Sequence, residues 1–223
     1  MDCDAVIVAS GSSRRMGFDK LAADLVGQPV LRRAVEAFLQ CEAIGRVIVV
    51  CPPERFQSLL HEVADRVVRV DGGDERHFSV VAGLEKVRAD FVAVHDGARP
   101  LVTPEAITTC LRAARETGAA ALARPVTETL KHADDDHLTD GAVPRDGLWH
   151  METPQIFRTG LLRSAYAEVI SKKLLVTDEV SALEAIGVST KLTHVDAPNL
   201  KITHPIDLKV AGALVSLDAR HLP

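Results

Sequence analysis

Short apolar runs alternate with stretches of helical periodicity along the first half of the chain. Ala5-Val6-Ile7-Val8-Ala9, Arg46-Val47-Ile48-Val49-Val50-Cys51, Val67-Val68-Arg69-Val70 and Phe91-Val92-Ala93-Val94 are runs rich in β-branched residues. Such runs suit strands buried on both faces. Between them, Pro29–Gln40 carries Val30, Leu31, Ala34, Val35 and Phe38 on one side of a helix. Helices are also predicted at Pro53–Ala64, Glu75–Val87 and Pro104–Thr117, and a strand at Ala119–Pro125. Strand–helix alternation of this kind builds βαβ units and a mostly parallel sheet covered on both faces. The expected fold is therefore α/β, a Rossmann-like three-layer arrangement around a mostly parallel central sheet.

The rhythm breaks between Thr127 and Arg145, where Asp134-Asp135-Asp136 and Asp140-Gly141 supply turn residues. Thr129–His132 and Leu138-Thr139 have the composition of hairpin arms; a protruding arm and a disordered loop both fit. Arg145–Gln155 is a further candidate site whose plain reading is a structural turn, with the sole tryptophan, Trp149, packed in the core. Helical periodicity returns at Thr159–Ser171 and Asp178–Ile186, followed by a strand at Val188–Val195 and a helix at Pro205–Leu217. No repeat or linker divides the chain, so a single domain over 1–223 is expected.

Composition narrows the function classes. The chain has 223 residues, 47% hydrophobic and 26% charged, with a net charge of -5. That balance argues against a broad nucleic-acid or anionic-membrane surface. No apolar run approaches the ~20 residues of a membrane helix, and the start lacks a signal-peptide pattern. A cytoplasmic protein is expected. Cys3, Cys41, Cys51 and Cys110 are scattered without a C-x-x-C, which suggests buried reduced thiols. The histidines show no zinc-ligand spacing, and there is no G-x-S-x-G elbow.

Candidate chemistry lies just past the strands. The loop Ser10 to Lys20 is rich in Gly, Ser and Arg and follows the first strand. Open α/β sheets bind ligands at that edge, and backbone N–H groups there can hold phosphate. Arg14, Arg15 and Lys20 add positive charge. The loop is neither a Walker A nor a G-x-G-x-x-G loop; a solvated loop is the competing reading. Asp96-Gly97-Ala98-Arg99 lies past another strand. A carboxylate there suits a divalent metal and an arginine suits phosphate; taken alone, a turn-holding Asp–Arg pair is the plainer explanation, weakened because this strand end should face the same edge as the first loop. Gly72-Gly73-Asp74, and Lys201 in a short extended piece before a helix, also have plain structural readings.

Taken together and in order, these segments resemble the 2-C-methyl-D-erythritol 4-phosphate cytidylyltransferase family of isoprenoid-precursor synthesis. The resemblance rests on A-S-G-S-S-R-R-M-G-F-D-K, G-G-D-E-R-H-F-S-V-V-A-G-L, V-H-D-G-A-R-P, R-D-G-L-W-H-M-E-T-P-Q-I-F, T-D-E-V-S-A-L-E and N-L-K-I-T-H-P-I-D-L, spanning Ala5 to Leu208. It implies that Gly11, with Ser10 and Ser12, holds the CTP triphosphate, and that Arg15 and Lys20 bind phosphate oxygens through the reaction. Gly73, Asp74 and Ser79 would lie around the cytosine. Asp96, with Gly97 beside it, would lie near the ribose and a magnesium ion that it helps to hold. Arg99, Thr153, Thr177 and Lys201 would line the polyol-phosphate side. Residues 127–147 would form an arm reaching into the second subunit of a homodimer, bringing Thr129 and Arg145 to the partner's sugar phosphate.

The sequence departs from the family pattern at Ser10 (usually Ala), Ser13 (often Gly), Gly97 (Ala) and Glu128 (Asp). In the implied reaction a phosphate oxygen attacks the α-phosphorus of CTP. The nucleophile is already anionic, so positioning and electrostatics should carry catalysis. Arg15, Lys20 and Lys201 are the expected catalytic cations. The alternatives are a ribitol 5-phosphate cytidylyltransferase, a nicotinamide-dependent oxidoreductase and a non-catalytic nucleotide-binding scaffold.

Overall fold

The structure is a computed structural model that describes residues 1–11, 16–63 and 65–218. Its elements are β1 (Cys3–Val8), α1 (Val30–Gln40), β2 (Ile44–Val50), α2 (Pro53–Leu60), β3 (Val67–Val70), α3 (Arg76–Leu84), β4 (Phe91–Asp96), α4 (Pro104–Thr117), β5 (Ala119–Pro125), β6 (Leu130–Ala133), β7 (Thr139–Val143), β8 (Trp149–Arg158), α5 (Thr159–Lys172), α6 (Glu179–Glu184), β9 (Lys191–Thr193) and α7 (Pro205–Asp218). Seven strands form one sheet in the order β3-β2-β1-β4-β8-β5-β9, and only β8 runs antiparallel to its neighbours.

The apolar runs form strands because both faces of the sheet are buried. Ala5 and Ile7 of β1 enter one core with Val30, Leu31, Ile107 and Leu111 of α1 and α4. Val6 enters the other with Val80, Leu84, Leu162 and Leu183 of α3, α5 and α6. Three layers follow directly from this period-2 partition. Helix ends follow local chemistry. Thr103 caps α4 by accepting from the Ala106 N–H at 3.1 Å, and Gly118, at φ +87°, ends it. Asp178 caps α6 through the Ser181 N–H at 2.9 Å.

Two sequence expectations are corrected. Trp149–Arg158 is a ten-residue strand, not a turn. Its inward residues include Glu152, Thr153 and Gln155, which are buried although polar, so no apolar run marks it. Trp149 is 38% exposed rather than packed in the core. It pairs with Pro125 where β8 leaves the body of the sheet. The segment after Thr127 is a hairpin: β6 pairs only with β7, in a separate two-stranded sheet. Asp134 closes its turn by accepting from the Asp136 and Leu138 N–H groups. Almost every residue of this arm is exposed.

All four cysteines are buried free thiols. Burial pushes the Cys51 thiol up to about 11 and that of Cys110 up to about 12. No helix among the described residues is long and apolar enough to cross a membrane.

Candidate active site

The chain runs β1→β2→β3 to one side of β1, then returns to place β4 on the other side. That reversal makes the carboxyl ends of β1 and β4 a topological switch point, where the diverging loops leave a crevice. Val8 and Asp96 are direct partners across the ladder. Both line a cavity of about 660 Å³ together with Ser10, Gly11, Lys20, Gly73, Asp74, Arg76 and Lys201.

Asp96 is the electrostatic centre. Its Oδ2 accepts from Lys201 Nζ at 2.6 Å and its Oδ1 from Arg76 Nη2 at 3.2 Å. Burial alone would raise its pKa, but Arg76 and Lys201 outweigh that and hold it well below the usual carboxylate range. Its backbone N–H donates to Thr153 Oγ1 at 3.1 Å. The same hydroxyl contacts His95 Nδ1 at 2.9 Å, and His95 Nε2 lies 3.1 Å from the Arg99 carbonyl. Burial lowers His95 from 6.5 to about 4, so the ring is neutral near pH 7.

The walls are tied from distant segments. Lys20 Nζ donates to the Ile202 carbonyl at 2.7 Å, joining the first loop to the extended piece that carries Lys201. Ser10 Oγ lies 3.0 Å from Ser79 Oγ, which also accepts from the Gly73 N–H at 3.2 Å. A Cβ on Gly73 would come within 2.4 Å of Phe78 Cβ, so this turn requires glycine. Arg55 of α2 donates to the carbonyls of Ala9 and Gly11 and, through Nε, to Asp19 at 3.0 Å.

Lys201 also lines a second cavity of about 350 Å³, with Arg99, Arg124, Glu152 and Asn199. Arg99 donates to the carbonyls of Asn199 (2.7 Å) and Met151 (3.3 Å). Arg99 Nε and Asn199 Oδ1 are buried without a hydrogen-bond partner among the described residues, so this end retains a donor and an acceptor.

The sequence profile of the IspD family, 2-C-methyl-D-erythritol 4-phosphate cytidylyltransferase, matches residues 3–217. The chain belongs to this family. A cytidylyltransferase of that name from Ralstonia nicotianae is 41% identical, covering 95% of this chain and 91% of its own. One from Caldanaerobacter subterraneus is 39% identical, covering 95% and 97%. The crystal structure of the Thermus thermophilus enzyme of the same name superposes with a TM-score of 0.82 at 32% identity, covering 97% of this chain and all of that one. The 4-diphosphocytidyl-2C-methyl-D-erythritol synthase of Anaerococcus prevotii gives 0.84 at 26% identity, covering 96% of each.

Within this family member, the residues singled out from sequence fall in several places. Ser10, Gly11, Lys20, Gly73, Asp74, Asp96 and Lys201 share the larger cavity. Ser79, Gly97 and Thr153 support it from behind. Ser79 and Thr153 are buried, and Gly97 donates to the Val8 carbonyl at 3.0 Å. A Cβ on Gly97 would meet Leu31 Cδ1 at 2.8 Å, so the alanine of the family pattern would require Leu31 to shift. Arg99 belongs to the smaller cavity, while Thr177, Thr129 and Arg145 line neither. Thr177 is exposed, its hydroxyl 3.1 Å from Ser181 Oγ; Arg145 donates to the Thr127 carbonyl on the arm. Ser12 and Arg15 lie outside the described residues. Sequence reasoning missed Arg76 and Glu179 as members of the site. Both sit in segments that carry the resemblance, G-G-D-E-R and T-D-E-V-S.

Proposed function

We propose that the protein transfers the cytidylyl group of CTP to 2-C-methyl-D-erythritol 4-phosphate, giving 4-diphosphocytidyl-2-C-methyl-D-erythritol and pyrophosphate. The observation that carries this reading is one cavity at the switch point where Lys20, Asp96 and Lys201 converge, in a chain of this family. A phosphate oxygen of the acceptor attacks the α-phosphorus of CTP. As that O–P bond forms, the bond to the bridging oxygen breaks and its electron pair leaves with pyrophosphate. No general base is needed, which accords with His95 being neutral, buried and engaged at both ring nitrogens.

The protein's task is to hold two polyanions together and support charge at the transition state. Lys20 and Lys201, with Arg15, supply cations to the phosphates. Gly11 and its neighbours offer backbone N–H groups, and Gly73 and Asp74 flank the base. Lys201 lies on both cavities and so connects the nucleotide to an acceptor placed toward Arg99. Mg²⁺ typically takes one or two carboxylates, leaving its other positions to waters and phosphates, and the larger cavity is lined by the carboxylates of Asp74, Glu75 and Asp96. Asp96 would hold it, and a bound ion there would offset charge on the CTP phosphates.

We also assign the arm to a homodimer contact, with Thr129 and Arg145 contributed to the partner's acceptor. An isolated two-stranded hairpin is marginal in water, and Leu138 at its tip is 65% exposed. A cytoplasmic location suits a reaction between small phosphorylated metabolites. Pyrophosphate release from CTP should be rapid with 2-C-methyl-D-erythritol 4-phosphate and slow with ribitol 5-phosphate. The reverse ranking would assign the ribitol reaction instead, and no release with either acceptor would remove the enzymatic reading.

A further inference from the structure

Arg76, on the wall of the larger cavity, links Asp96 to a buried carboxylate, Glu179, that the reaction as described does not use. Arg76 is the first residue of α3, directly after the Gly72-Gly73-Asp74-Glu75 turn. Its guanidinium forks onto Glu179, with Nη1 to Oε1 at 2.6 Å and Nη2 to Oε2 at 3.1 Å. Nη2 also reaches Asp96 Oδ1 at 3.2 Å. Glu179 is the first residue of α6 and is fully buried; its Oε1 also accepts the Tyr166 hydroxyl at 2.8 Å. Arg76 and Asp96 line the larger cavity, whereas Glu179 and Tyr166 do not.

We propose that Glu179 is a positioning residue for nucleotide binding, acting through Arg76; this rests on the reading of the larger cavity as the CTP site. A bidentate carboxylate fixes the plane of a guanidinium as well as its place. Glu179 thereby aims one N–H of Arg76 at Oδ1 of Asp96 and leaves Oδ2 to Lys201. It also anchors the start of α3, and with it the Gly73-Asp74 turn. Without the Glu179 charge, the Arg76 guanidinium has Asp96 as its remaining anionic partner and rotates toward it. Asp96 then turns away from Lys201, and both walls of the nucleotide cavity shift. The acceptor end shares Lys201 with this network but has its own anchor in Arg99, tied to the carbonyls of Met151 and Asn199.

A residue that merely docked α6 would disturb both substrates alike, because the Asp178 cap of that helix accepts from Gln155 of β8, the strand whose Glu152 lines the smaller cavity. The test therefore splits the substrates and uses a double-mutant cycle. CTP binding is measured by calorimetry in magnesium buffer on the full chain, and KM for 2-C-methyl-D-erythritol 4-phosphate by pyrophosphate release. Glu179→Gln is expected to weaken CTP by about tenfold or more, the scale for disturbing a buried charge pair, with a clearly smaller change in the acceptor KM. In an Arg76→Met background the same substitution should add almost nothing. Tyr166→Phe, which keeps both charges, should weaken CTP by a few-fold and decides the matter if Glu179→Gln does not fold. Unchanged CTP affinity in these variants, or an effect of equal size with and without Arg76, overturns the proposal. A wild-type protein that does not bind CTP overturns the reading of the cavity itself, and the proposal with it.

Discussion

Asp4 and Asp96 are buried carboxylates on adjacent strands, at opposite ends of the same ladder: Asp4 pairs with Val92, and Asp96 with Val8. Both are held below the usual carboxylate range against the upward push of burial, but by different partners. Asp4 accepts from the backbone N–H groups of Arg46 (3.1 Å), Arg88 (2.9 Å) and Ala89 (3.3 Å), and from Arg46 Nη2 at 2.8 Å. Asp96 holds two side-chain cations drawn from α3 and from the segment before α7. Backbone amides cannot leave without breaking the fold, so Asp4 fastens loops at the amino end of the sheet. A lysine ammonium can exchange one anion for another, so Asp96 and Lys201 can reorganise around a polyphosphate. The same charge at the two ends of one sheet is structural in one case and poised for a ligand in the other.

The comparison predicts different activity profiles for the two asparagine variants. Asp96→Asn should lower kcat/KM by a factor on the order of 10² or more, by analogy with losing a transition-state electrostatic contact, and should also lower the unfolding midpoint, because Arg76 and Lys201 lose their shared buried partner. Lys20→Ala should lower kcat to a similar degree. Asp4→Asn should leave turnover near normal but cost about 3 kcal/mol of stability in urea unfolding, because an amide nitrogen then faces buried donors. Equal loss of activity in the two asparagine variants would erase the distinction.

Acid should act in two stages, first at His95 and then at the two carboxylates. His95 has a folded pKa of about 4 against its ordinary 6.5. Between those values the unfolded chain binds the extra proton, so His95's contribution is complete above pH 6.5 and is lost as pH falls toward 4. That amounts to about 2 kcal/mol by pH 5. Asp4 and Asp96, whose pKa values lie below 3.8 when folded, contribute losses only below that pH. Unfolding free energies across this range should therefore show a first decline that His95→Gln flattens. A decline unaffected by that substitution would place the first loss elsewhere.

The fold was legible where one physical demand governed the residues. β1, β2 and β4 read as strands because both their faces are dry, and α1 and α4 because each has one apolar side. β8 was not legible, since Glu152, Thr153 and Gln155 occupy inward positions in order to hold Asn199, Asp96 and Asp178. Site-building polarity erased the pattern that marks a strand. Trp149 reads from sequence as a core residue, yet its register places it at the base of the arm. Lys20, Asp96 and Lys201 were legible as a set only through the family resemblance; singly, each had a plain structural explanation. Glu179 signalled only through its place in T-D-E-V-S, because an acid in the first turn of a helix is otherwise ordinary. Only tertiary structure shows that it is buried against Arg76.

The most direct test of the cavity is lysine labelling. The folded protein is treated with an amine-acylating reagent, with and without CTP and magnesium, and each lysine is followed by mass spectrometry. Lys20 and Lys201 should be protected by CTP, while Lys172, 62% exposed on α5, should label at an unchanged rate. Binding of CTP that leaves Lys20 and Lys201 as reactive as before would contradict the assignment of this cavity to the nucleotide phosphates.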